Sequence, residues 1–207
     1  MRAIRDYFVS LCDASKAFLN ELPIELEPQP LNYCLNRLAP AITSRRGTET
    51  ERWCRLTRPK PDLAPGTPVP TGLNTVGMLT DRLTILLIKE WCLRHKGTRD
   101  STKADDLFRI QTTDMIEALA LAQRGSSSLN AKITNIRGDA SATTWEEAYF
   151  GLLGTNLILW ESQEVLYIKD IGSLPAEELR DYIRWFSFGN IRRNEYIQLC
   201  DELYWTH

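Results

Sequence analysis

The sequence predicts an all-α fold: an antiparallel four-helix core, with N-terminal helices and a proline-rich arm packed on it. Three observations lead there. Beyond residue 72 the apolar residues recur at spacings of three and four, the period of an amphipathic helix. Start and stop signals for helices punctuate that pattern. No stretch alternates apolar and polar residues as a half-buried strand would, and no internal repeat is visible.

Taken in order, the first helix is expected over residues 4–22, where Ile4, Phe8, Leu11, Ala14, Phe18 and Leu22 share a face. Pro23, Pro28 and Pro30 end it, and a second helix from Leu31 to Leu38 is stopped at Pro40. Ser44 to Thr71 reads as irregular, because Pro59, Pro61, Pro65, Pro68 and Pro70 remove amide donors and fix φ. Thr75 is placed to cap a helix running to about His95, with Gly97 beyond its end. Ser101 or Thr102 opens another, to about Arg124, followed by Gly125 and three serines. Residues 129–142 stand open between a loop tucked down by Ile133 and Ile136 and a freely moving one. Thr144 caps a third core helix, from Trp145 to about Ile168. The run from Ser173 to Glu177 carries proline inside a first turn and acid near the positive end of the dipole, opening a last helix to about Trp205. The chain thus divides near residue 72 into an N-terminal region, 1–72, and a bundle core, 73–207.

Composition narrows the function. The chain has 207 residues with Lys+Arg 25 against Asp+Glu 27, so a generally basic nucleic-acid binder is not expected. The arm is locally basic: Arg37, Arg45, Arg46, Arg52, Arg55, Arg58 and Lys60 stand against Glu49 and Glu51. It reads either as an anion-facing loop or as a solvated loop balancing a more acidic bundle. The five cysteines are far apart and never spaced C-x-x-C, which fits free thiols in a reducing cytoplasm. With His95 and His207 the only histidines, a multi-histidine metal site is impossible within one chain. The opening residues interleave Asp6, Asp13 and Lys16 with apolar ones, unlike a signal peptide. The apolar run Ile85 to Ile88 falls far short of the roughly 20 residues that span a bilayer.

Polar residues where apolar ones belong mark the candidate site. One stripe of the third core helix reads Trp145, Tyr149, Leu152, Leu153, Asn156, Trp160, Gln163 and Tyr167, flanked by Glu161 and Glu164. The last helix reads Leu179, Tyr182, Ile183, Phe186, Asn190, Arg193, Ile197, Asp201 and Tyr204. In the first core helix Asp81, Arg82 and Lys89 accompany leucines and isoleucines. An unpartnered buried polar group costs about 1–3 kcal/mol, so these residues satisfy one another or line a pocket. The first alternative is a structural network, such as Arg193 bonded to Glu161 or Glu164. The second is a site for a small polar or anionic ligand, or a protein partner. There Arg193 and Lys89 offer charge, Asn156 and Asn190 orient by hydrogen bonds, and Trp160 forms a wall. His95 reads as a cap on its helix end.

Two short patterns resemble known catalytic ones. Glu161-Ser-Gln-Glu164 followed by Glu178-Leu-Arg-Asp181 is similar to the acidic pattern of all-α nucleoside triphosphate pyrophosphohydrolases of the MazG type. That resemblance implies a Mg²⁺ ion held by Glu161, Glu164, Glu178 and Asp181 against a pyrophosphate. Arg193-Asn194 resembles the start of the R-N-x-x-x-H signature of helical HEPN ribonucleases. Gln198 stands where that signature needs histidine, so its base is absent.

A wider resemblance covers about residues 73–206. Val76-Gly-Met-Leu-Thr-Asp-Arg-Leu-Thr-Ile-Leu-Leu-Ile-Lys89 resembles the opening helix of an uncharacterised bacterial family, which reads approximately P-G-E-L-I-D-K-L-T-I-L-x-I-K. The family's N-x-x-x-W-D and N-x-R-R segments resemble Asn156 to Glu161 and Asn190 to Arg193. Met78 departs from the family's acid, and Glu161 from its aspartate. The resemblance implies a helical bundle that often accompanies glycosyltransferase or surface-polysaccharide genes. It singles out Asp81, Lys89, Asn156, Trp160, Asn190 and Arg193, and supplies no reaction.

Overall fold

The amphipathic periods resolve into six helices in a computed structural model that describes residues 2–56, 58–59, 75–97, 102–121 and 138–204. They are α1 (Arg2–Asn20), α2 (residues 31–54), α3 (Val76–His95), α4 (Thr102–Ala120), α5 (Trp145–Ile168) and α6 (Ala176–Leu203). A single 3₁₀ turn, Ile171–Ser173, leads into α6, and the described residues contain no strand. The all-α expectation holds.

α1 forms as its period predicts, with Ile4, Phe8, Leu11, Ala14 and Phe18 all buried. α2 does not. The helix expected to stop at Pro40 continues to Cys54, through Leu31–Tyr33, a π-helical stretch Cys34–Leu38 and then Ala39–Cys54. A proline inside an α-helix breaks it by removing a donor and clashing with the carbonyl four residues back. The wider turn just before Pro40 shifts the hydrogen-bond register, so the proline falls at the opening of a new α segment, where no amide is required. Residues 44–54, expected to be irregular, are therefore helical. Pro59 lies past the helix end, whereas Lys60, Pro61, Pro65, Pro68 and Pro70 fall outside the described residues. So do Ser101, Arg124, Gly125, Ile133, Ile136, Trp205 and His207.

The caps read from the sequence are present. The Thr75 hydroxyl accepts the Met78 amide at 3.2 Å, and the Thr144 hydroxyl accepts the Glu147 amide at 3.2 Å. The Glu147 carboxylate reaches back to the Thr143 amide at 2.7 Å, satisfying a second donor at the start of α5. His95 Nδ1 bonds the Trp91 carbonyl at 3.0 Å and its ring stacks on Trp91, closing the last turn of α3.

α5 is buried almost all round, as a helix without a polar face must be. It packs against α2, α3 and α6; α3 also meets α1, α4 and α6. One continuous cluster of buried side chains runs from Ile4 to Tyr204, so α1 and α2 share the core with the later helices. Two glycines permit close approaches. A Cβ at Gly77 would sit 2.1 Å from the Ile197 carbonyl oxygen, and one at Gly151 2.3 Å from the Tyr196 ring. The inward stripe of α6 differs from the expected one: Ile183 is 61% exposed, and Trp185 and Gly189 turn inward instead. On α5, Gln163 and Tyr167 are exposed and hydrogen-bond to each other at 2.8 Å, so the buried face stops short of them. No helix among the described residues is long and apolar enough to cross a membrane.

Candidate functional site

The polar residues picked by helical spacing separate into two places. The first is the junction of α3, α5 and α6, where Arg193 grips Asp81 with Nε on Oδ1 at 2.8 Å and a terminal nitrogen on Oδ2 at 2.6 Å. Asn156 donates from the same amide nitrogen to Asp81 Oδ1 and to the Thr84 hydroxyl, both at 2.9 Å. Asp81, Thr84 and Asn156 are buried, and the Arg193 side chain is 30% exposed. The hydrogen bonds it donates to Asp81 raise the Arg193 pKa, so the guanidinium stays charged. Arg193 thus bonds Asp81, not Glu161 or Glu164, which corrects the expected partner. Both Asp81 oxygens and the Asn156 amide are committed, and the cluster ties three helices in register.

The second place is a groove of about 380 Å³ between α3, α4 and α5. Trp160, Phe108, Leu93 and Cys92 give it an apolar floor, and Lys89, Lys96 and Glu164 stand at its margin. Exposed Lys89 holds its ammonium 5.9 Å from the centroid of the Trp160 ring, within cation–π reach. Among the described residues no carboxylate lies within ion-pair distance of Lys89. Lys96, about two turns further along, donates to both oxygens of Glu161 at 2.7 Å. Burial pushes the Glu161 carboxyl above its usual range, Lys96 draws it back, and nearby Glu164 adds a further upward push. Burial likewise pushes the Cys92 thiol up to about 12. The indole N–H of Trp160 is buried with no oxygen or nitrogen partner among the described residues; the weakly accepting Cys92 sulfur lies beside it.

Comparison of the chain with protein-family models, with curated proteins and with solved structures finds no match.

The remaining candidates fall elsewhere. Asn190, expected on the inward margin of α6, is exposed and donates to the Phe186 carbonyl of its own helix at 2.7 Å. Its neighbour Gly189 takes the inward position against Leu159, which turns Asn190 out. The four carboxylates of the Mg²⁺ reading do not come together. Glu161 is buried beneath Lys96, Glu164 sits on the groove, and Glu178 and Asp181 lie in the opening turns of α6, where Asp181 is exposed. Among the described residues no three His, Cys, Asp or Glu side chains gather as a metal-holding group. Asp201 is near the core as expected: its carboxylate accepts the Gly77 amide at 2.7 Å, capping the start of α3.

Arg58 fits neither reading of the basic arm. It is 3% exposed, with its guanidinium 5.0 Å from the Trp145 ring centroid and 4.5 Å from that of Tyr204. It donates to Glu146 at 3.1 Å and to the Tyr204 carbonyl, and Glu146 also accepts the Tyr7 hydroxyl at 2.7 Å. The sequence carried no separate signal for it, since Glu146 stands in the first turn of α5, where the helix dipole alone favours an acid.

Proposed function

We propose that the chain binds a small anionic ligand carrying a flat apolar ring, held in the groove between α3, α4 and α5. The single observation behind this reading is Lys89, a cation without a carboxylate partner among the described residues, poised over the Trp160 ring on an apolar floor. A ring on Trp160 and Phe108 with its charge toward Lys89 puts both kinds of surface to use. Lys96 is committed to Glu161, so Lys89 supplies the charge, and Glu164 offers an acceptor to a ligand hydroxyl. The groove volume lies within the roughly 300–1,000 Å³ usual for small-molecule sites. Arg193 and Asn156 bond Asp81 and fix α3 against α5 and α6, as in the structural-network alternative.

The test is a thermal-shift screen of the purified chain with nucleotides, nucleotide sugars and sugar phosphates, each with and without Mg²⁺. Stabilisation by a ring-bearing anion without metal, lost in Lys89→Gln and in Trp160→Leu, is the expected result. Stabilisation that requires Mg²⁺ and survives Lys89→Gln would move the carboxylates to the front. No shift with any compound would leave a protein partner as the better account.

A further inference from the structure

A second concavity, of about 190 Å³, opens between α2, α5, α6 and residues 138–141. Its polar lining includes Arg46, Asp139, Ser141, Arg192 and Tyr196. Arg46 is half-buried and donates to the Tyr196 hydroxyl at 2.5 Å, while no carboxylate lies within ion-pair distance of it among the described residues. A guanidinium carries five N–H donors in a fixed fork, and a single phenol oxygen answers few of them. Tyr196 is 4% exposed and its ring closes on Gly151, so the phenol holds Arg46 in place.

The opposite edge is also fixed. The amides of Gly138 and Ala140 donate to the Glu195 carboxylate at 2.6 and 3.1 Å, pinning the segment that carries Ser141 onto α6. Arg192 forks onto Asp139, both bonds at 2.6 Å, and holds that carboxyl below its usual range. With Asp139 answered by Arg192, the lining keeps the net positive charge of Arg46. Donors therefore converge from α2, from residues 138–141 and from α6. Such a spread suits a tetrahedral oxyanion, whose oxygens point several ways, better than a planar carboxylate, which engages one fork. The volume is below the roughly 300 Å³ at which sites for larger ligands begin, so a nucleotide does not fit.

We infer that this concavity binds a small phosphoryl group, with Arg46 as its charged contact and the Ser141 hydroxyl as a donor. The site is separate from the Lys89 groove and stands whether or not that groove takes a ligand.

The experiment is a titration of the ¹⁵N-labelled full chain, followed by NMR, with inorganic phosphate and with glycerol 3-phosphate, using chloride at matched ionic strength as control. Saturable shifts at the Ser141 and Thr155 amides and at the Arg46 side-chain Nε are expected with both phosphates and not with chloride. Arg46→Gln should weaken binding about tenfold or more, since a charge-assisted bond is lost. Lys89→Gln should leave binding unchanged. Ser141→Ala, a substitution at an exposed position, should weaken binding several-fold and keeps the test open should Arg46→Gln fold poorly. Tighter binding of glycerol 3-phosphate identifies a phosphomonoester as the ligand, and equal binding identifies the free anion. Shifts that never saturate, that chloride reproduces, or that persist undiminished in folded Arg46→Gln and Ser141→Ala overturn the inference.

Discussion

Arg193 and Asp81 meet through two parallel hydrogen bonds, 2.8 and 2.6 Å long, that join the middle of α6 to the first turns of α3. The same carboxylate takes the Asn156 amide, so one acid on α3 gathers a residue from each of two neighbouring helices, α5 and α6. Removing Arg193 would leave Asp81 buried with a single amide for company. Arg193→Ala is therefore expected to cost about 2–4 kcal/mol, less than a fully buried pair because the guanidinium is partly exposed. Urea unfolding measures it. A loss under about 1 kcal/mol would show that the fork adds little to the packing of α3 on α6.

How much of this was legible in the sequence differs by element. α1, α3 and α5 were readable because an apolar pattern agreed with a boundary signal, Pro23 after α1 and the capping threonines Thr75 and Thr144 before α3 and α5. α2 was not, because a proline in the middle of a helical run reads as a stop, and a π-helical re-registration leaves no mark in composition. Asp81, Asn156 and Arg193 stood out as polar letters on apolar faces, and they do meet. Which acid Arg193 would choose was beyond spacing, since helical phase gives a residue's direction and not its depth along the neighbouring helix. Asn190 shows the same limit: next to a glycine, a slight rotation of α6 carries it outward. The Lys89–Trp160 groove needed α3 and α4 to fold back on α5, which brings Trp160 from a distant part of the chain to Lys89 and Phe108.

Arg58 anchors the chain after α2 to the core between Trp145 and Tyr204. Arg58→Ala strips Glu146 of its cation in a buried setting and opens a space between two aromatic rings. A loss of about 3–5 kcal/mol is expected, read as an earlier midpoint in denaturant. Arg58→Met should recover part of the packing and none of the pairing, which separates the two contributions.

Gly77 lies where α3 and α6 touch backbone to backbone. Its missing Cβ leaves room for the Ile197 carbonyl, and its amide donates to Asp201. A methyl group there meets main chain, which cannot swing aside as a side chain can. Gly77→Ala should thus destabilise by about 1–3 kcal/mol despite its better helix propensity. At about 2–4 °C for each kcal/mol in a chain of this size, the melting temperature falls measurably.

Thiol chemistry offers a test of burial. Cys54 is exposed, whereas Cys12, Cys34, Cys92 and Cys200 are buried. Burial pushes the thiols of Cys12, Cys34 and Cys92 up to about 12 and that of Cys200 well above its usual value. The thiolate is the nucleophile, so at pH 8 one cysteine should react quickly with an aromatic disulfide and four only as the chain opens. A second fast thiol, lost in Cys92→Ser, would mean the groove admits solvent to its floor.

Glu161 sets burial against a salt bridge, and pH decides between them. Its folded pKa lies above the ordinary 4.5, with burial the larger influence and Lys96 opposing it. Below 4.5 both folded and unfolded chains hold the proton, and the group is neutral to stability. As pH rises past 4.5 the unfolded chain releases its proton first while the folded chain still holds one, so unfolding is favoured. The wild-type chain should lose stability relative to Glu161→Gln across this window, and the difference should level off above the folded pKa. Asp201, also raised by burial, is common to both proteins and cancels in the comparison. Urea midpoints of the two proteins between pH 4 and pH 8 give the answer. A difference that moves in the wild type's favour with rising pH would show that the two bonds from Lys96 outweigh the burial of the charge.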